Sequence, residues 1–86
     1  MKAALQIYSR DFDSDFFKLP RDIQARIEAK IDRLSLMLDK FPHVHMTGVD
    51  SFRMRVGDYR VIYDFDLSRG VIHLLAVGNR REVYKK

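Results

Sequence analysis

An α+β fold in the order β-α-α-β-β-β is predicted by three features of this 86-residue chain. Apolar residues alternate near the N-terminus, recur at helical spacing between Phe12 and Leu38, and alternate again in three runs after residue 50. A single domain spanning residues 1–86 follows, with a small, mostly antiparallel sheet and the two N-terminal helices packed on one of its faces.

Residues 2–8 read as the first strand, with Leu5 and Ile7 on one side. Ser9 or Asp11 can cap a short helix whose Phe12, Phe16 and Leu19 share a face. Pro20 suits the first turn of a longer helix carrying Ile23, Ile27, Ile31, Leu34 and Leu38, which is expected to end near Lys40, before Phe41-Pro42. A loop over 42–50 holds His43, His45 and Gly48. A hairpin follows over 51–57 and 59–67, joined by the two-residue signal Gly57-Asp58.

That loop length sets the register. Val56 faces Tyr59, Arg55 faces Arg60, Met54 faces Val61 and Arg53 faces Ile62, so Phe52, Met54, Val56, Tyr59, Val61, Tyr63 and Phe65 form the core side. Ser68-Arg69-Gly70 turns the chain into a last strand over 71–77. An even-numbered turn sets Ile72 against Phe65, His73 against Asp64 and Val77 against Arg60, and a polar tail over 79–86 closes the chain.

The charge is unevenly placed. Residues 1–50 hold eight Lys/Arg and eight Asp/Glu; residues 51–86 hold eight and four, so the whole net charge of +4 lies around the hairpin and tail. A localised basic field favours nucleic acid or another polyanion. The chain has no cysteine, which removes thiolate metal sites and disulfides and suits a reducing cytoplasm. It has neither an apolar run long enough to span a bilayer nor a secretory start. No cofactor and no metal are expected: His43 and His45 have no carboxylate or third histidine close by in sequence, and His73 is read as structural. Phe12, Phe16, Phe17 and Phe41 are expected in the core or at the edge of a partner surface.

Arg53, Arg55 and Arg60 share the face opposite the core. Like charges facing each other across a sheet cost roughly 0.2–1 kcal/mol, so the arrangement suits an anionic guest better than stability alone. Asn79, Arg80, Arg81 and Tyr84 follow a strand that ends beside Arg60. Guanidinium groups bind phosphate oxygens in pairs and stay protonated. A phenol, normally near pKa 10, ionises more easily among cations. These parts suffice for metal-free RNA cleavage: a base takes the ribose 2′-hydroxyl proton, that oxygen attacks the neighbouring phosphate, and cations stabilise the phosphorane. An arginine-lined phosphate surface without chemistry uses the same residues.

The hairpin Arg-Met-Arg-Val-Gly-Asp-Tyr-Arg-Val-Ile-Tyr over 53–63, followed by Val-Gly-Asn-Arg-Arg-Glu-Val-Tyr over 77–84, resembles the RelE/ParE toxin superfamily across nearly the whole chain. The resemblance implies the RelE-like fold and the toxin half of a type II toxin–antitoxin pair, with a cognate antitoxin as partner. Its RelE-like branch implies ribosome-dependent cleavage of mRNA. Carried over residue by residue, the catalytic set is Arg60, Arg80 and Tyr84, with Arg53, Arg55 and Arg81 holding RNA phosphates. Arg53 and Arg55 stand where that branch often has lysine, which removes a potential base. Asn79 stands where close relatives often have histidine, the acid for the leaving 5′-oxygen. ParE-like members share the fold but inhibit DNA gyrase, so a non-nuclease toxin and an inactive binding module are the alternatives.

Overall fold

The computed structural model describes residues 3–79. Along the chain run β1 (Leu5–Tyr8), α1 (Arg10–Phe16), α2 (Arg21–Leu36), β2 (Val44–His45), β3 (Phe52–Val56), β4 (Tyr59–Asp66) and β5 (Val71–Asn79). The five strands form one sheet in the order β1-β5-β4-β3-β2. Only β1–β5 is parallel; the other three pairings are antiparallel. The expected α+β architecture is therefore present as a mixed sheet, with one strand more than expected. That strand, β2, is a two-residue segment within the 42–50 loop and pairs with Phe52 and Arg53.

The core lies between the helices and one face of the sheet. Phe12 and Phe16 from α1 and Ile27, Ile31 and Leu34 from α2 meet Met54, Val56, Val61, Tyr63, Ile72, Leu74 and Val77, all buried. Each such side chain contributes about 1.5–3 kcal/mol on leaving water. Phe41 is partly buried against this cluster, whereas Phe17 is 69% exposed.

Two expected boundaries shift. Pro20 occupies the N-cap of α2, one position before its first turn, and its carbonyl accepts the Gln24 N–H at 2.9 Å. The helix ends at Leu36 instead of near Lys40, because neighbours take the last carbonyls. Ser35 O accepts the Ala4 N–H at 2.9 Å, and Leu38 O is bonded to His43 Nε2 at 2.8 Å. Leu38 stays buried within the turn that follows.

The hairpin register is as expected at every pair from Phe52–Tyr63 to Val56–Tyr59. Gly57 has φ +59° while Asp58, like every other non-glycine residue described, has negative φ, the pattern of a type II′ turn. Ile72 faces Phe65 and His73 faces Asp64, also as expected. The expected Val77–Arg60 pair does not form. Leu75 is an extra residue in β5, so that Val77 faces Val61 and Gly78 faces Arg60. This bulge keeps both Leu74 and Val77 on the core face, where strict alternation would have turned Val77 outward. Ser9 secures it: the Ser9 hydroxyl donates to Leu75 O at 2.8 Å, while its oxygen accepts the Phe12 N–H and caps α1.

His43 fastens the loop after α2 to the core. Its Nε2 must carry the proton that Leu38 O accepts, so Nδ1 accepts the Tyr63 hydroxyl at 2.7 Å, and the ring stacks on Phe65 with centroids 4.1 Å apart. Burial pushes the Tyr63 phenol from 10.0 up to about 12. Between those values the unfolded chain releases this proton and the folded chain keeps it. Stability should therefore fall as pH rises through that window, by about 2–3 kcal/mol at 1.36 kcal/mol per unit. Denaturant titrations of wild type and Tyr63→Phe below and above the window check this: the loss should be smaller by that amount in the variant. Equal losses would rule Tyr63 out as the source.

Candidate nucleic-acid interface

Both helices cover one face of the sheet, and no helix of the described residues packs on the other. Arg53 and Arg55 from β3 are exposed on it, and Arg60 from β4 is half-buried. The type II′ turn sets Arg55 and Arg60 directly opposite each other. Arg55 Nε donates to Gly57 O at 3.2 Å, and Arg60 Nη1 lies 3.4 Å from the same oxygen and 3.1 Å from Tyr59 O. One turn carbonyl thus sits between two like charges and offsets part of their repulsion. On its other side Arg60 faces Gly78, which has no side chain and is buried.

The far end of the open face differs. Asp64 and His73 are paired neighbours, but four residues of strand, about 13 Å, separate Asp64 from Arg60. Asp66 accepts the Ser68 hydroxyl at 2.8 Å and the Arg69 N–H at 3.2 Å, and pairs with Arg69 Nε at 3.5 Å. The Ser68 hydroxyl, more than the Arg69 charge, lowers its carboxyl below the usual value. Leu5 and Ile7 are exposed at the β1 margin, on the same face as Val71 and His73. The face therefore divides into an arginine end at the hairpin turn and an apolar and acidic end.

The structure brings Arg53, Arg55 and Arg60 onto one surface. Asn79, the last described residue, pairs with Tyr59 and lies beside that arginine end. Arg80, Arg81 and Tyr84 lie outside the described residues. His43 is committed to Tyr63 and Leu38, and among the described residues no three His, Cys, Asp or Glu side chains gather as a metal set. One basic group escaped the sequence reading: Arg26, Lys30 and Arg33 of α2 line a groove with Arg55 and Gly57. Their i, i+4, i+7 spacing was the available signal.

The sequence family described as "ParE toxin of type II toxin-antitoxin system, parDE" matches residues 7–84. Among solved structures, the RelBE2 toxin–antitoxin complex of Mycobacterium tuberculosis is similar at 22% identity and a TM-score of 0.80, covering 95% of this chain and 97% of that one. The RelB–RelE antitoxin–toxin complex of Methanococcus jannaschii is similar at 25% identity and a TM-score of 0.71, covering 92% and 95%. The isolated RelE toxin of E. coli is similar at 19% identity and a TM-score of 0.76, covering 96% and 93%. No curated protein gives a significant sequence match.

Proposed function

The chain belongs to the ParE toxin family of type II toxin–antitoxin systems, and we propose that it acts as a ribosome-dependent endoribonuclease that cleaves mRNA and is held in check by a cognate antitoxin. The observation that carries this reading is the arginine end of the sheet face away from the helices, where Arg55 and Arg60 converge on one carbonyl and Arg53 stands two residues away. Guanidinium groups so placed suit a phosphate whose charge increases during reaction.

In the reaction Tyr84 takes the 2′-hydroxyl proton, and the freed oxygen attacks the adjacent phosphate. Arg60 and Arg80 stabilise the phosphorane, while Arg53, Arg55 and Arg81 hold neighbouring phosphates. The bond to the 5′-oxygen then breaks, leaving a 2′,3′-cyclic phosphate. Water supplies the proton for the departing 5′-oxygen, since Asn79 carries no acid, and no step needs a cofactor. The RelB–RelE assemblies of the solved relatives support an antitoxin partner here. With mRNA on the ribosome as substrate, the site of action is the cytoplasm; no helix of the described residues is long and apolar enough to cross a membrane.

Asn79 and the arginines at 53 and 55 favour a second reading, a non-nuclease toxin that binds DNA gyrase, since neither residue type supplies an acid or base. Induction without the antitoxin separates the two. The ribonuclease reading expects arrested translation and primer-extension ends within ribosome-occupied codons. Intact mRNA together with gyrase-linked DNA breaks would replace it with the second reading.

A further inference from the structure

Helix α2 sorts its charges by side. Glu28 and Asp32 lie on the flank toward β1, where Asp32 accepts from Gln6 Nε2 at 3.0 Å. There burial first, and then the carboxylates of Asp32, Glu28 and Asp13, raise the Tyr8 phenol. Arg26, Lys30 and Arg33 occupy the opposite flank, against the hairpin turn. The Arg26 guanidinium lies over Gly57, so close that a Cβ there would stand 3.3 Å from Nη2 and 3.6 Å from Nη1. Between helix and hairpin runs an open groove of about 430 Å³, lined by Arg26, Lys30, Arg33, Arg55 and Gly57. None of its four cations is in an ion pair among the described residues. The nearest acids in sequence, Glu28 and Asp32, lie on the other flank, and Asp22 one turn before Arg26 and Asp58 in the turn are both exposed.

The groove is charged without being sticky. Its apolar lining is Ala29 and the buried Val56, with no aromatic side chain. A protein partner is anchored by aromatic and apolar residues at the centre of the contact, whereas a phosphate backbone asks for cations and N–H donors. Seven residues of helix separate Arg26 from Arg33, about 10 Å of rise, so the three cations form a row that can follow successive phosphates of one strand. Arg55 belongs both to this groove and to the open sheet face, so the two basic surfaces meet around the hairpin turn.

We propose that the groove between α2 and the hairpin is a second RNA-backbone site, in which Arg26, Lys30 and Arg33 hold the phosphates of a structured RNA while the open face holds the strand to be cut. The choice of RNA as the polyanion rests on the function proposed above; the site itself does not depend on cleavage. It orients the toxin on its target by charge and leaves sequence selection to other contacts.

The test is equilibrium binding of the purified full chain to a short RNA hairpin over a range of NaCl concentrations. Arg26→Gln/Lys30→Gln/Arg33→Gln should weaken binding and lower the slope of log affinity against log salt by about two to three, at 0.7–0.9 per lost phosphate contact. Arg26→Lys/Arg33→Lys, which keeps the charge, should hold the wild-type slope. Lys30→Gln alone, at one helix position, should lower the slope by about one and guards against a triple variant that misfolds. An unchanged slope in the triple variant overturns the second site. If Arg53→Gln/Arg60→Gln lowers the slope in the same assay, the function proposed above survives that failure; if it does not, both fall. A triple variant that keeps RNA binding but loses affinity for poly-glutamate would assign the groove to an acidic protein and also overturn the proposal.

Discussion

Tyr84→Phe is expected to reduce mRNA cleavage by about 10²–10⁴, the usual contribution of a positioned acid–base group, while ribosome affinity and thermal stability stay near wild type. The substitution deletes one oxygen and no apolar surface, so a large effect on rate alone identifies the phenol with proton transfer. A phenol that works as base must ionise, and the guanidinium groups that the proposed site sets around it would favour the anion. The wild-type rate should therefore rise with pH to a midpoint below about 10, the value of free tyrosine, and Tyr84→Phe should lose that limb. Single-turnover cleavage of programmed ribosomes across pH measures both. A variant that cuts at the normal rate with the same profile removes Tyr84 from the mechanism and leaves water, or a group of the ribosome or mRNA, as the base.

What was legible in the sequence was whatever short-range geometry decides. A two-residue loop allows one register, so the opposition of Arg55 and Arg60 followed from Gly57-Asp58 alone. The cap at Ser9 and the apolar row from Ile23 to Leu34 are equally local. The features that escaped are those chosen by distant partners. Leu74-Leu75-Ala76-Val77 is a continuous apolar run, so nothing in it marks Leu75 as the extra residue. That choice is made by the core, which takes both Leu74 and Val77, and by the Ser9 hydroxyl from the other end of the chain. At the early end of α2, likewise, Ala4 claims the Ser35 carbonyl and His43 that of Leu38 just beyond the helix.

The same division holds for the candidate site. Three arginines on one strand face were readable by counting in twos, and the structure brings them together. The cations of α2 were readable as charges but not as a surface, because only the packing of α2 beside the hairpin places Arg26 over Gly57. His43 looked like half of a His-x-His pair, yet a hydroxyl twenty residues on, that of Tyr63 on β4, and a carbonyl five residues back use both of its ring nitrogens.

Arg60→Ala is expected to lower cleavage by about 10²–10³, the equivalent of the 3–4 kcal/mol lost with a preorganised oxyanion donor, with little change in folding. Arg60 is the most constrained of the three arginines. It is half-buried, and Nη1 is held by Gly57 O and Tyr59 O. On the proposed mechanism a cation fixed in advance stabilises developing charge without reorganising, whereas the exposed Arg53 and Arg55 would act on charge already present in the ground state. The kinetic constants should therefore divide. Arg60→Ala should reduce kcat, and Arg53→Ala or Arg55→Ala should raise KM and flatten its salt dependence with kcat nearly kept. Folding is spared because Gly57 O still accepts from Arg55 Nε, and removing the Arg55–Arg60 opposition returns roughly 0.2–1 kcal/mol against the lost contacts. Arg60→Lys keeps the charge but not the planar pair of donors, and should fall between wild type and alanine. Equal loss of kcat in all three alanine variants would mean that the face acts as one undifferentiated field, and wild-type cleavage by Arg60→Ala would leave this arginine as part of the hairpin's architecture only.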